Sequence, residues 1–169
     1  MSLRALRPII FVLMTIIGGS ATAQQRPFDF GLIGDMPYTK AQEQEYQRVL
    51  DALNATELAF VAHIGDFQFD ATPYNRNPSL ASTPCVDESY DAIYKSFQTI
   101  RHAFILTPGD NDWSDCAPLN TKKVDPLQLL AKIRSTFYPE GKSLGQKPIP
   151  VVSQSADATF SKFRENLRW

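Results

Sequence analysis

Apolar positions along this chain fall into short runs that end at glycine, separated by stretches in which they recur every three or four residues. In 28–33, Phe28, Phe30 and Leu32 alternate, as in a strand with one face buried. Residues 58–64 are apolar almost throughout, the pattern of a strand covered on both sides, and 103–107 form a third strand. Between the first two runs, Tyr46, Val49, Leu50 and Leu53 share one face of a helix that reaches about Asn54. Thr39, with Gln42 three residues on, supplies a capping box for its start. From Asp87 a second helical stripe carries Tyr90, Ile93, Tyr94, Phe97 and Ile100. Asp125-Pro126 reads as an N-cap followed by proline at the first helical position, and Leu129, Leu130, Ile133 and Phe137 form the buried side of that helix. Residues 70–84, rich in Pro, Asn, Ser and Thr and without periodicity, predict a long loop of the kind that often serves as a lid. A loop over 138–145 and a short strand over 149–152 follow. Strand and helix thus alternate three times, which predicts an α/β fold. Phe163, Leu167 and Trp169 find no partner in this pattern, so the domain reads as incomplete.

The N-terminus follows other rules. Arg4 and Arg7 precede the apolar run 9–17, and Ala21-Thr22-Ala23 follows it. A basic start, an apolar stretch of about a dozen residues and an Ala-x-Ala end describe a secretory signal peptide, cut after Ala23. A membrane span needs about 20 apolar residues, more than this run offers. The expected organisation is a signal peptide over 1–23 and one domain over 24–169, exported to a periplasm or the extracellular space. Removal of the leader takes two arginines and no acid, so the net charge falls from −1 to −3, which suggests no nucleic-acid partner. In an oxidising compartment the only two cysteines, Cys85 and Cys116, each in a polar loop, are expected to pair. That disulfide stabilises by roughly 3–4 kcal/mol in the chain-entropy model. Two free thiols are the alternative.

Candidate chemistry sits where the three β-rich runs stop. The first ends at Gly34-Asp35, the second at Gly65-Asp66, and the third at Thr107-Pro108-Gly109-Asp110-Asn111-Asp112-Trp113. In an open parallel sheet, ligands collect at the carboxyl ends of the strands. Glycine there allows a sharp turn and close approach. Three such turns side by side bring Asp35, Asp66 and Asp110 to one place. Two carboxylates about 4 Å apart repel by roughly 4 kcal/mol at an effective dielectric near 20. Proton uptake or a cation must offset that repulsion. A divalent metal site is the expectation. The alternative for any one of these aspartates is an Asx turn or a helix cap.

Gly34-Asp35, Gly65-Asp66 and Pro108-Gly109-Asp110-Asn111-Asp112 resemble, in order, the first three motifs of the calcineurin-like metallophosphoesterases, a family related to the purple acid phosphatases. The resemblance covers about the first three-fifths of a family domain. It implies a two-sheet sandwich flanked by helices, of which this chain is the N-terminal part. The implied activity is hydrolysis of a small phosphoester by a hydroxide held between two divalent metal ions. By resemblance Asp35 holds the first metal and Asp66 bridges both. Asp110 stands where the family has a ligand Asn, Asn111 where it has the His that assists the leaving group, and Asp112 where an acid orients that His. Mn, Mg, Fe and Zn are not distinguished by this, although an oxygen-dominated set suits Mg, Mn or Ca better than Zn.

The departures from the family pattern shape the expected activity. Pro37 takes the place of the family His two residues after the first aspartate, and the later His motifs do not occur in the sequence. Tyr38 is expected to pack or hydrogen-bond. Asn111 can donate to a phosphoryl oxygen but cannot move a proton near neutral pH. Asp112 orients Asn111 or caps the turn. His63 and His102, the only histidines, match no ligand position and are expected to be packed or at the surface. Weak metal affinity and little turnover are therefore predicted for this chain, with a non-catalytic secreted binding module as the second reading. No Gly-x-Ser-x-Gly, Gly-x-x-x-x-Gly-Lys or His-Glu-x-x-His occurs, which argues against the other common hydrolase and nucleotide-binding classes.

Overall fold

The structure, a computed structural model, describes residues 27–38, 40–68, 86–115 and 125–169. The leader, Thr39, the 70–84 loop and both cysteines lie outside them, and with them the expected signal peptide, capping residue, lid and disulfide. The described residues form a mixed α/β arrangement in chain order: β1 (Gly31–Ile33), α1 (Lys40–Ala55), β2 (Phe60–His63), α2 (Asp87–Phe97), β3 (Ala103–Leu106), α3 (Pro126–Phe137), β4 (Val152–Ser153) and β5 (Leu167–Arg168). β1, β2 and β3 make a parallel sheet in that spatial order, while β4 and β5 pair antiparallel. No helix among the described residues is long and apolar enough to cross a membrane.

Register explains the core. Gly31 and Ile33 stand beside Val61 and His63, which stand beside Phe104 and Leu106. Alternation puts these residues on one face, where Tyr46 and Leu50 of α1, Tyr90 and Phe97 of α2, and Leu129, Ile133 and Phe137 of α3 close over them. α3 begins as its sequence dictates: the Asp125 carboxylate accepts from Leu127 N–H at 2.9 Å and Pro126 opens the first turn. At α1 the Gln42 side chain reaches back to the Tyr38 N–H at 2.6 Å.

The opposite face corrects two expectations. Phe28, Phe30 and Leu32 do alternate, but they point away from the core and are 65%, 50% and 58% exposed. β2 is not covered on both sides either. Val61 and His63 are buried, whereas Ile64, on the other face, is 55% exposed. Periodicity shows that two faces differ in chemistry, not which of them meets the helices. Only at β3, where Ala103 and Ile105 are buried as well, are both faces closed.

The C-terminal residues also differ from expectation, since all three have neighbours. Leu167 lies in β5 and packs against the core. Trp169 meets Phe60 edge-on at 5.5 Å on the open face. Phe163 lies under the Arg134 guanidinium, which is itself paired in a fork with Glu165.

Candidate functional site

The three glycine-aspartate turns lie side by side because the strands before them do. Ile64 N–H donates to Ile33 C=O at 2.9 Å and Thr107 N–H to His63 C=O at 2.9 Å, which carries the ladder into the turns. Asp35 N–H then donates to Gly65 C=O at 3.2 Å. Gly65 and Gly109 touch: a Cβ on Gly65 would stand 2.6 Å from the Gly109 Cα, and one on Gly109 would stand 2.6 Å from the Asp66 nitrogen. No side chain larger than hydrogen fits between the second and third turns.

Asp112 ties those turns together. It is fully buried, and its carboxylate accepts from Gly109 N–H at 2.8 Å, Phe67 N–H at 2.8 Å and Asp66 N–H at 3.0 Å. Its own carbonyl accepts from the Tyr90 hydroxyl at 2.7 Å and from Gln68 at 3.3 Å. Burial pushes its carboxyl up to about 7, against the three N–H donors that favour the anion. Of the two roles open to Asp112 in the sequence, capping the turn is the one found.

Asp66 is half-buried, while Asp35 and Asp110 are exposed. The Asn111 N–H is shared between Asp66 Oδ1 at 3.2 Å and Asp110 Oδ1 at 3.1 Å. Burial raises the Asp66 pKa, and the nearby carboxylates of Asp110 and Asp35 raise it further, while the Asn111 N–H opposes them. Asp35 enters the group through Tyr38, whose hydroxyl donates to Asp35 Oδ1 at 3.2 Å and accepts from the Asn111 side-chain amide at 3.2 Å. Burial and the Asp66 and Asp35 carboxylates raise the Tyr38 pKa, so it stays a phenol and acts as a donor. All three sequence-predicted acids therefore stand in one hydrogen-bonded group with Tyr38 and Asn111. Tyr38, expected to pack or hydrogen-bond, does the latter, and only its place three residues after Asp35 marks it in the sequence as a bridge.

Backbone strain falls on two of these acids. Asp35 and Asp66 have φ of 60° and 58°, and they are the non-glycine residues with positive φ among those described. Such a conformation costs about 1–3 kcal/mol and gathers at ligand-binding turns.

A metal ion fits this group in part. Asp66 and Asp110 offer oxygen donors that repel each other until a cation or proton intervenes. Yet among the described residues no three His, Cys, Asp or Glu side chains already stand in a ligating arrangement.

Both histidines are buried, so the packed alternative holds for each. His63 Nδ1 accepts from Gly65 N–H at 3.1 Å, and its ring lies among Phe67, Phe97 and Phe104. Burial lowers its pKa to about 4, so at neutral pH it is uncharged, with its proton on Nε2. His102 Nε2 meets Leu53 C=O at 3.1 Å. Trp113 is partly buried against the core.

Compared with protein-family models, curated proteins and solved structures, the chain finds no match.

Proposed function

We propose that this chain is an exported metal-dependent phosphoesterase, the N-terminal part of a metallophosphoesterase-type sandwich preceded by a cleaved signal peptide. The observation that carries the reading is the convergence of Asp35, Asp66 and Asp110 above three adjacent parallel strands, two of them on left-handed backbone. The bare face around Phe30, Leu32 and Ile64 supports the sandwich, because parallel sheets are ordinarily covered on both sides. Asp35 and Asp110, with Asp66 at the position that the resemblance gives to the shared ligand, would hold the divalent ions. Those ions supply charge neutralisation at the phosphoryl group and activation of the attacking water. The chain's own part is to hold the ester: Asn111 turns its amide from Tyr38 to a phosphoryl oxygen, and Tyr38 follows as a second donor.

One observation favours the second reading, a secreted binding module without turnover. Asn111 stands where the resemblance calls for His, and an amide cannot protonate a leaving group. A single comparison separates the two. With Mn and an aryl phosphate, hydrolysis by the wild type and a loss of at least tenfold in Asp66→Asn are expected. Equal rates remove the enzyme reading, and metal-independent binding of the ester without turnover selects the module.

A further inference from the structure

Over β1 and β2, the sheet face turned away from the helices is apolar from end to end. Alternation places Phe28, Phe30 and Leu32 there from the first strand and its lead, and Phe60, Ala62 and Ile64 from the second. Phe60 gathers the aromatic rings: Phe30 stacks on it at 5.2 Å, Trp169 meets it edge-on at 5.5 Å, and Phe28 lies tilted at 6.1 Å. Towards the turns, Ile64 lies against Gly34, where a Cβ would stand 2.6 Å from its Cγ1. Phe28, Phe30, Leu32, Ile64 and Trp169 are each half exposed or more. At about 200 Å² for a large side chain, they leave on the order of 550 Å² of apolar surface open together. Patches of that size are near the most a soluble monomer shows, and they mark interaction sites.

We propose that a second copy of this chain covers this face, the two sheets packing against each other about a two-fold axis. The inference shares one element with the phosphoesterase reading, since a sandwich needs a second sheet and a second copy supplies one. Area and charge favour a copy over other occupants. Each side of a standard interface buries about 800 Å², and the open patch, with Phe60 and Ala62 partly exposed beside it, provides most of that. None of these positions is charged, so two such faces meet without burying an ion, whereas a charged partner surface would lose its hydration and gain no counterion. A lipid surface fits less well, because none of these positions is Lys or Arg and the chain carries a net charge of −1, which gives no attraction to anionic headgroups.

Sedimentation velocity over a range of protein concentrations tests this. The wild type is expected to form a dimer with a Kd of about 10⁻⁶ M or tighter. Leu32→Lys and Phe28→Asp, which put a charge on the face at two exposed positions, are each expected to weaken the dimer by at least tenfold, with circular dichroism reporting that the fold is kept. Leu127→Asp is the control: Leu127 is as exposed as Phe28 but lies on α3, and its dimer is expected to match the wild type. A wild type that stays monomeric at the highest concentration overturns the proposal, as does a dimer that survives both face substitutions. A monomer that binds vesicles of phosphatidylcholine through Phe28 and Leu32 assigns the face to lipid and overturns it as well. Mn titration of Leu32→Lys separates this claim from the phosphoesterase reading: the variant is expected to keep the metal affinity of the wild type, and a dimer that binds no Mn leaves the interface standing while the metal site fails.

Discussion

Asp112→Ala is expected to destabilise the protein by about 4 kcal/mol, enough to remove most of the stability of a small domain. The carboxylate is fully buried and satisfies three backbone N–H groups, those of Asp66, Phe67 and Gly109. Alanine leaves all three donors without an acceptor in a place water does not reach, and each unmet donor costs about 1–3 kcal/mol. Asp112→Asn retains one oxygen and turns an amide towards the remaining donors, so about half the loss is expected. Urea unfolding of the two variants beside the wild type measures both. A change under 1 kcal/mol in Asp112→Ala contradicts the view that this residue binds the second and third turns to each other.

Gly65→Ala is the second large effect. Its φ of +95° already excludes most side chains, and a Cβ there meets backbone, at 2.6 Å from the Gly109 Cα and 2.8 Å from the Pro108 carbonyl carbon. Backbone cannot swing aside as a side chain does. The two turns must separate, which breaks the Asp112 bonds as well. A loss above about 4 kcal/mol, or failure to fold, is expected. Gly141→Ala is the control, because Gly141 has a φ of +72° with nothing within 4 Å. Only the conformational penalty applies there, about 1 kcal/mol. Equal thermal unfolding shifts for the two variants contradict the close approach of the turns.

The residues themselves explain what the sequence could and could not disclose. Gly34-Asp35, Gly65-Asp66 and Gly109-Asp110 were readable because a glycine that ends an apolar run marks a turn, and parallel strands place such turns together. The α3 start was readable too, since Asp125-Pro126 is a local signal that no tertiary contact has to complete. The buried face of β1 was not. Phe28, Phe30 and Leu32 give the stronger apolar alternation, yet Gly31 and Ile33 face the helices, and that choice is made by register with β2. Asp112 was ambiguous for a similar reason. Whether an acid after Asp-Asn orients a neighbour or caps a turn depends on N–H groups 45 and 46 positions away in sequence. Leu167 looked unpartnered because β4 and β5 are two-residue strands too short to leave a pattern, and Trp169 because its partner, Phe60, is more than a hundred positions away in sequence.

The central claim of the proposed function is that Asp35, Asp66 and Asp110 form a single divalent-metal site. Calorimetric titration with Mn at neutral pH tests it most directly, on the wild type and on Asp35→Asn, Asp66→Asn and Asp110→Asn. Saturable binding with a Kd on the order of 10⁻⁴ to 10⁻³ M, as in weak oxygen-ligand sites, is predicted for the wild type. Each substitution is predicted to weaken it, Asp66→Asn the most. No saturable binding to the wild type, or the same affinity in all four proteins, contradicts the claim.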